Sequence, residues 1–132
     1  MKLVDIYSGP YESVAYQLMA ERQPHQNISH KALPKWEDHL AFMASKPYLA
    51  WYAIEANETP VGAIYLTKAR EIGIGILSEF QGKGYATEAI KELMRLYPGR
   101  FLANINPSNI ASIALFHKLG FSGPIQITLE KA

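Results

Sequence analysis

The residues able to do chemistry concentrate in one stretch, Glu71-Ile-Gly-Ile-Gly-Ile-Leu-Ser-Glu-Phe-Gln-Gly-Lys-Gly-Tyr-Ala86. It reads as a strand, a glycine turn and a helix start in immediate succession. Gly82 and Gly84 allow positive φ and carry no Cβ to block an incoming group. The first helical turn after them leaves N–H groups without intrahelical partners, with the positive end of the helix dipole behind them. A corner of that kind holds a phosphate or pyrophosphate. Gly73 and Gly75 interrupt the strand ahead of the turn, and glycines there often mark close approach by a ligand or another backbone. The plain alternative is turn and bulge chemistry, which uses the same residue type.

Two well-known phosphate loops do not fit. The dinucleotide fingerprint needs a third Gly or Ala where this chain has Thr87, and an acidic residue about 20 positions on. The next strand offers only Asn104 and Asn106. A P-loop needs Ser or Thr after Gly-Lys, and Lys83 is followed by Gly84. A third pattern fits: Gln81-x-x-Gly84-x-Ala86 after an apolar strand resembles the coenzyme A loop of the GNAT superfamily of N-acetyltransferases. Downstream, Asn106-x-x-Asn109-x-x-Ser112 running on to Phe116-His-Lys-Leu-Gly-Phe121 is similar to that family's closing strand–helix segment. The resemblance covers Tyr48 to the C-terminus well and the N-terminal third loosely.

The resemblance implies an acetyl-CoA-dependent N-acetyltransferase. Backbone groups of Ile74, Gly75 and Ile76 would pair with the pantetheine arm. The loop Gln81, Gly82, Lys83, Gly84, Tyr85, Ala86 and Thr87 would hold the pyrophosphate on its N–H groups, and Asn109 with Ser112 would support the arm. The strands on either side of the loop would splay to admit the cofactor.

Acetyl transfer to an amine needs a neutral amine, a stabilised oxyanion and a protonated leaving thiolate. Glu71 starts the strand that leads to the loop and is the candidate base, because several GNAT enzymes keep a glutamate there. A solvated glutamate beside Arg70 is the competing reading. Other members place a glutamate at the position of Asn104, and asparagine cannot take a proton. Many members use a tyrosine as general acid where this chain has Phe116, which has no proton to give; Tyr85 and water are the substitutes considered.

The elements that must position these residues follow from periodicity. Lys2 to Tyr7 alternates as a strand, and Tyr11 to Arg22 carries apolar residues at helical spacing. Gln23 to Lys31 is polar and reads as a loop. Pro34 opens a second helix that ends before Pro47, with Trp36, Leu40 and Met43 expected on one side. Tyr48 to Glu55 and Val61 to Thr67 form a hairpin about Asn57 to Pro60, and Glu71 to Leu77 is a third strand of this run. A helix spans Ala86 to Tyr97, a short strand Phe101 to Ile105, a helix Asn109 to Leu119 with Gly120 as its cap, and a last strand Ile125 to Leu129. The expected fold is one α/β (α+β) GNAT-like domain over residues 1–132. Its central twisted mixed β-sheet is flanked by about four helices in the order β-α-α-β-β-β-α-β-α-β.

Bulk properties limit the partners. The 132 residues, 48% hydrophobic, can fill one core. Thirteen basic and 12 acidic side chains leave a formal charge of +1, which gives no reason to expect nucleic acid or an anionic membrane. The absence of cysteine excludes disulfides, thiolate zinc sites and a cysteine nucleophile. No stretch approaches the roughly 20 apolar residues of a membrane span, and the N-terminus has no secretory pattern. A cytoplasmic protein, monomer or homodimer, is expected.

For the acceptor, His25, Asn27 and Ser29 in the loop between the first two helices could bond hydroxyls, and Tyr65 could face the pocket. The spacing of His25, His30 and His39 matches no metal-ligand pattern, and no metal is expected. A small-molecule primary amine is the expected acceptor. Likeness of Gln26 to Lys31 to small amino-sugar acetyltransferases makes a nucleotide-linked amino sugar one candidate. A protein N-terminus and a non-catalytic acyl-CoA sensor are the alternatives.

Overall fold

The computed structural model describes residues 1–21, 33–125 and 127–131. Four strands, β1 (Lys2–Asp5), β2 (Ala50–Ala56), β3 (Thr59–Leu66) and β4 (Ile72–Ile76), form one sheet in that order, each antiparallel to its neighbour. Between them and after them come α1 (Glu12–Ala20), α2 (Trp36–Ala44), α3 (Tyr85–Leu96) and α4 (Ile110–Lys118). The β2–β3 hairpin closes through Asn57 and Glu58, both at positive φ (52° and 64°), as a two-residue turn matching the strand twist requires.

Both faces of the sheet are covered. Ile54, Ile64, Leu66 and Ile72 point to α3, which answers with Ala89, Ile90 and Leu93, all three at 0% exposure. Along α3 these residues fall at the i, i+1, i+4 spacing of an amphipathic helix. On this face the Tyr52 and Tyr97 hydroxyls share a hydrogen bond of 2.6 Å, tying β2 to the end of α3. Burial, then that bond, pushes the Tyr52 phenol up to about 12. The opposite face packs Ala63 with Ile6, Ala15 and Met43 under α1 and α2.

Several elements differ from the sequence expectation. The first strand stops at Asp5, whose carboxylate accepts the Tyr7 N–H at 2.9 Å and turns Ile6–Ser8 into a 3-10 turn. On α2 the buried side is His39 and Met43, while Trp36 and Leu40 are exposed. The histidine turns inward because its Nε2 bonds the Glu12 carbonyl at 3.0 Å and its ring packs between Tyr16 and Trp36. The short strand expected over Phe101 to Ile105 is a single parallel bridge, Leu102 to Glu71, and it is the only parallel pairing among the described residues. Ile125 to Leu129 forms no strand among the described residues, and Ile125, Ile127 and Leu129 stay exposed. Alternation there has no ladder to join, since the segment after Leu102 offers none.

Gly62 shows how tightly β3 and β4 are packed. A Cβ there would overlap the Gly75 carbonyl oxygen and lie 2.9 Å from Ile76 Cδ1. Backbone oxygen cannot rotate aside, so Gly62→Ala should destabilise the fold by about 1–3 kcal/mol. The measurement is the urea midpoint at unchanged m-value, and an unshifted midpoint contradicts the packing described.

Candidate active site

β4 runs directly into the glycine corner. Leu77 leads to a 3-10 turn at Ser78–Phe80, and Gln81 folds back so that its Nε2 donates to the Ile76 carbonyl at 3.0 Å. Gly82 and Gly84 then take φ of +78° and +85°, and a Cβ at either would meet nothing within 4 Å. Positive φ therefore decides these two glycines, with no protein neighbour crowding them. Gly84 is the N-cap of α3 and, like any glycine, offers no side-chain cap.

The consequence is a run of unspent donors. No described hydrogen bond takes the N–H of Gly82, Lys83, Gly84, Tyr85, Ala86 or Thr87; the next residue, Glu88, closes the helix by donating to the Gly84 carbonyl at 3.1 Å. A groove of about 360 Å³ opens over this run, within the range of small-ligand pockets. Ile76, Gln81, Gly82, Gly84, Tyr85, Ala86 and Thr87 line it, joined by Phe80 and by Ala111 and Leu115 of α4. Donors and helix dipole at one end with apolar walls at the other suit a long ligand that is anionic at one end.

Next to the groove the sheet splits. Ile72 N–H donates to the Leu102 carbonyl at 2.8 Å and Leu102 N–H to the Arg70 carbonyl at 2.9 Å, and no further ladder bond joins β4 to this segment among the described residues. Arg70 clasps the junction. It sits at φ +69°, its Nε and Nη2 donate to the carbonyls of Arg100 (2.8 Å) and Tyr97 (2.6 Å), and its guanidinium lies over the Phe101 ring at 4.6 Å. Thr67 N–H donates to Glu71 and Leu77 N–H to Val61, so residues 71, 73, 75 and 77 aim their backbone groups at β3. Ile74 and Ile76 therefore face the open edge, with the Ile76 carbonyl held by Gln81. Gly75, expected to share that edge, faces β3 instead.

The strand glycines also have structural causes. The Tyr65 ring lies over Gly73, where a Cβ would overlap it, and a Cβ at Gly75 would stand 3.2 Å from Leu18. Both glycines look toward α1 and α2, not into the groove.

The downstream motif serves local structure. Asn106 Oδ1 accepts from Ser108 N–H at 2.9 Å to turn the chain, and Asn109 Oδ1 caps α4 by accepting from Ser112 N–H at 3.3 Å. Asn109 and Ser112 thus stand together at the helix start, near the groove but outside its lining. At the other end Gly120 (φ +96°) and Phe121 donate to the carbonyls of His117 and Phe116, and the Phe121 ring packs on Phe116 at 5.0 Å. This is a Schellman closure with its apolar contact. Phe116 is buried in the core.

With this geometry in view, the model of the acetyltransferase (GNAT) domain matches residues 8–122. The chain belongs to the GNAT acetyltransferases. Acetyl-coenzyme A is the co-substrate that goes with this membership. No curated protein matches the sequence at a significant level. Among solved structures, a ribosomal-protein-alanine N-acetyltransferase from Brucella melitensis aligns with TM-score 0.69 at 19% identity, over 85% of this chain and 79% of its own. An N-acetyltransferase from Staphylococcus aureus Mu50 gives 0.66 at 21%, over 86% and 79%. The yncA protein of Salmonella typhimurium, solved with its cofactor acetyl-CoA, gives 0.65 at 20%, over 84% and 71%. At these identities the likeness establishes the fold.

Of the remaining candidates, Glu71 stands at the split. Its N–H donates to Thr67 Oγ1 at 2.9 Å, and strand alternation turns its side chain toward the face that carries Tyr65. Lys83 is exposed at the rim. His25, Asn27, Ser29 and His30 lie outside the described residues. Residue-type reasoning missed Phe80, Ala111 and Leu115, although the i, i+4 spacing of the last two was visible. It also missed Arg70, whose role appears only when Tyr97 and Arg100 come near.

Removing the clasp should loosen the split. Arg70→Ala gives up two charge-assisted bonds and is expected to lower stability by about 1–3 kcal/mol. Amide exchange at Ile72 and Leu102 should accelerate more than at Ile64; equal acceleration everywhere contradicts a local clasp.

Proposed function

We propose that the chain binds acetyl-coenzyme A across the glycine corner and transfers its acetyl group to a primary amine. The observation that carries the proposal is the run of unspent N–H groups from Gly82 to Thr87 opening onto an apolar-walled groove. A diphosphate would accept from several of these at once, each a charge-assisted bond with the positive end of the α3 dipole behind it. The pantetheine arm would lie along the free edge of β4, its amides bonding Ile74 and the Ile76 N–H as a surrogate strand. Asn109 and Ser112 would support it from α4, and Lys83 would meet the outer phosphate charge.

The arm cannot pass the Ile72–Leu102 bonds, so its thioester would stop beside Gly73. Glu71, two residues away, would take the amine's proton through water. The Ile74 N–H would stabilise the tetrahedral oxyanion once the carbonyl sits in the split. A nucleotide-linked amino sugar is one acceptor considered. Another is a protein N-terminus, because the Brucella neighbour is named as a ribosomal-protein-alanine acetyltransferase. The unit would act as one domain in the cytoplasm, as monomer or homodimer.

Isothermal titration with acetyl-CoA and a free-thiol release assay over a panel of amino-sugar nucleotides, simple amines and peptides test this reading. Saturable binding with acceptor-dependent thiol release supports it; tight binding without release for any acceptor indicates a sensor. Gly84→Val, which needs a β-branched residue at φ +85°, should abolish binding. Glu71→Gln should lower turnover by about 100-fold, most at low pH where more of the amine is protonated. An unchanged rate and pH profile removes Glu71 from the mechanism.

A further inference from the structure

With Phe116 in the core, a departing thiolate has no tyrosine on α4 to protonate it. Tyr65 offers a phenol on the other side. Its partner across the β3–β4 ladder is Gly73. The first ring atom a Cβ at Gly73 would meet is Cζ, which carries the hydroxyl, followed by Cε2 and Cε1. The ring therefore lies flat over the glycine backbone with its hydroxyl end at β4. Tyr48 stacks on the other face, ring centroids 4.0 Å apart and planes within 5°. Trp51 packs edge-on against both rings, at 4.8 Å from Tyr48 and 6.3 Å from Tyr65.

This clamp holds the phenol while leaving its hydroxyl unspent: among the described residues no hydrogen bond uses it. Most side chains at position 73 would push the ring away. Gly73 also lies one residue beyond the Ile72–Leu102 junction, where the sheet splits and a thioester arm would have to end.

We propose that Tyr65 is the general acid of the transfer, donating its phenolic proton to the sulfur that leaves; the inference rests on the acetyl-CoA reading above. The amine nitrogen attacks the thioester carbonyl, and the C–S bond breaks with its electron pair on sulfur. Sulfur takes the proton from Tyr65 and leaves as free thiol. The proton lost by the amine passes through water to Glu71 and returns by water to the tyrosinate. Amine and thioester become amide and thiol, with both side chains restored.

Tyr65→Phe keeps the ring, the stack on Tyr48 and the fit over Gly73, and removes only the hydroxyl. Expected is a fall in kcat of about 100-fold, with acetyl-CoA affinity by titration and amine KM unchanged. An unchanged kcat, or a loss confined to amine KM, overturns the inference while leaving acetyl-CoA binding and turnover intact. Replacing Tyr65 with a difluorotyrosine, whose phenol is more acidic at nearly the same size, should move the alkaline limb of the kcat profile to lower pH. An unmoved limb overturns the inference even where the phenylalanine variant does not fold. If the wild-type protein neither binds acetyl-CoA nor releases thiol, the acetyltransferase reading itself falls and takes this role with it.

Discussion

Leu102 accepts a hydrogen bond from Ile72 and gives its own to Arg70, and past those two bonds the chain leaves the sheet. Everything described at the site depends on that early parting. Had the ladder continued, the edge groups of Ile74 and the Ile76 N–H would be paired with protein as well. The groove over the glycine corner would then lose its continuation along β4. Arg70 holds the parting by donating to the carbonyls of Tyr97 and Arg100 in the turn that precedes the Leu102 segment. Its positive φ, unusual for a side-chain-bearing residue, is held in place by those bonds and by the Phe101 ring.

The glycine corner was legible in the sequence because its residues encode their own conformation. Gly82 and Gly84 need no distant partner to justify φ above zero, and spacing alone places them before a helix. The same holds for Gly120, whose Schellman bonds are local, and for the α3 stripe of Ala89, Ile90 and Leu93. Features that depend on distant partners could not be read this way. His39 counts as polar until the Glu12 carbonyl comes within 3.0 Å of it. The apolar alternation of Phe101 to Ile105 promises a strand, yet only Leu102 finds a neighbour.

Four glycines of the site region show why residue type underdetermines role. Gly82 and Gly84 have empty space around them and are there for backbone conformation, whereas Gly73 and Gly75 lie in a strand, Gly73 directly under the Tyr65 ring and Gly75 in close contact with Leu18. Sequence reading linked Gly73 and Gly75 to crowding by a cofactor. The register instead turns them to the opposite face, and crowding comes from the protein itself. The distinction matters for function, since it moves Gly73 from the cofactor's account to that of a clamped tyrosine.

A chain with a net charge of +1 gains little from its overall field in attracting an anion, so affinity for a diphosphate must come from local donors. Main-chain N–H groups suit that task because they need no side-chain ordering when the ligand arrives, and the helix behind them is already formed. The proposed transfer end would work by different means. Glu71 and Tyr65 project from neighbouring strands onto the face toward α1 and α2, outside the groove's lining, and the roles proposed for them depend on side-chain identity and on the aromatic stack that holds the phenol still. A site built from main-chain donors places few demands on side-chain identity, and the fold is shared with structures only about 20% identical. Under the proposed mechanism the groups that would meet the reacting atoms, Glu71 and Tyr65 with the Tyr48 and Trp51 rings packed around the phenol, lie away from the loop that identifies the family.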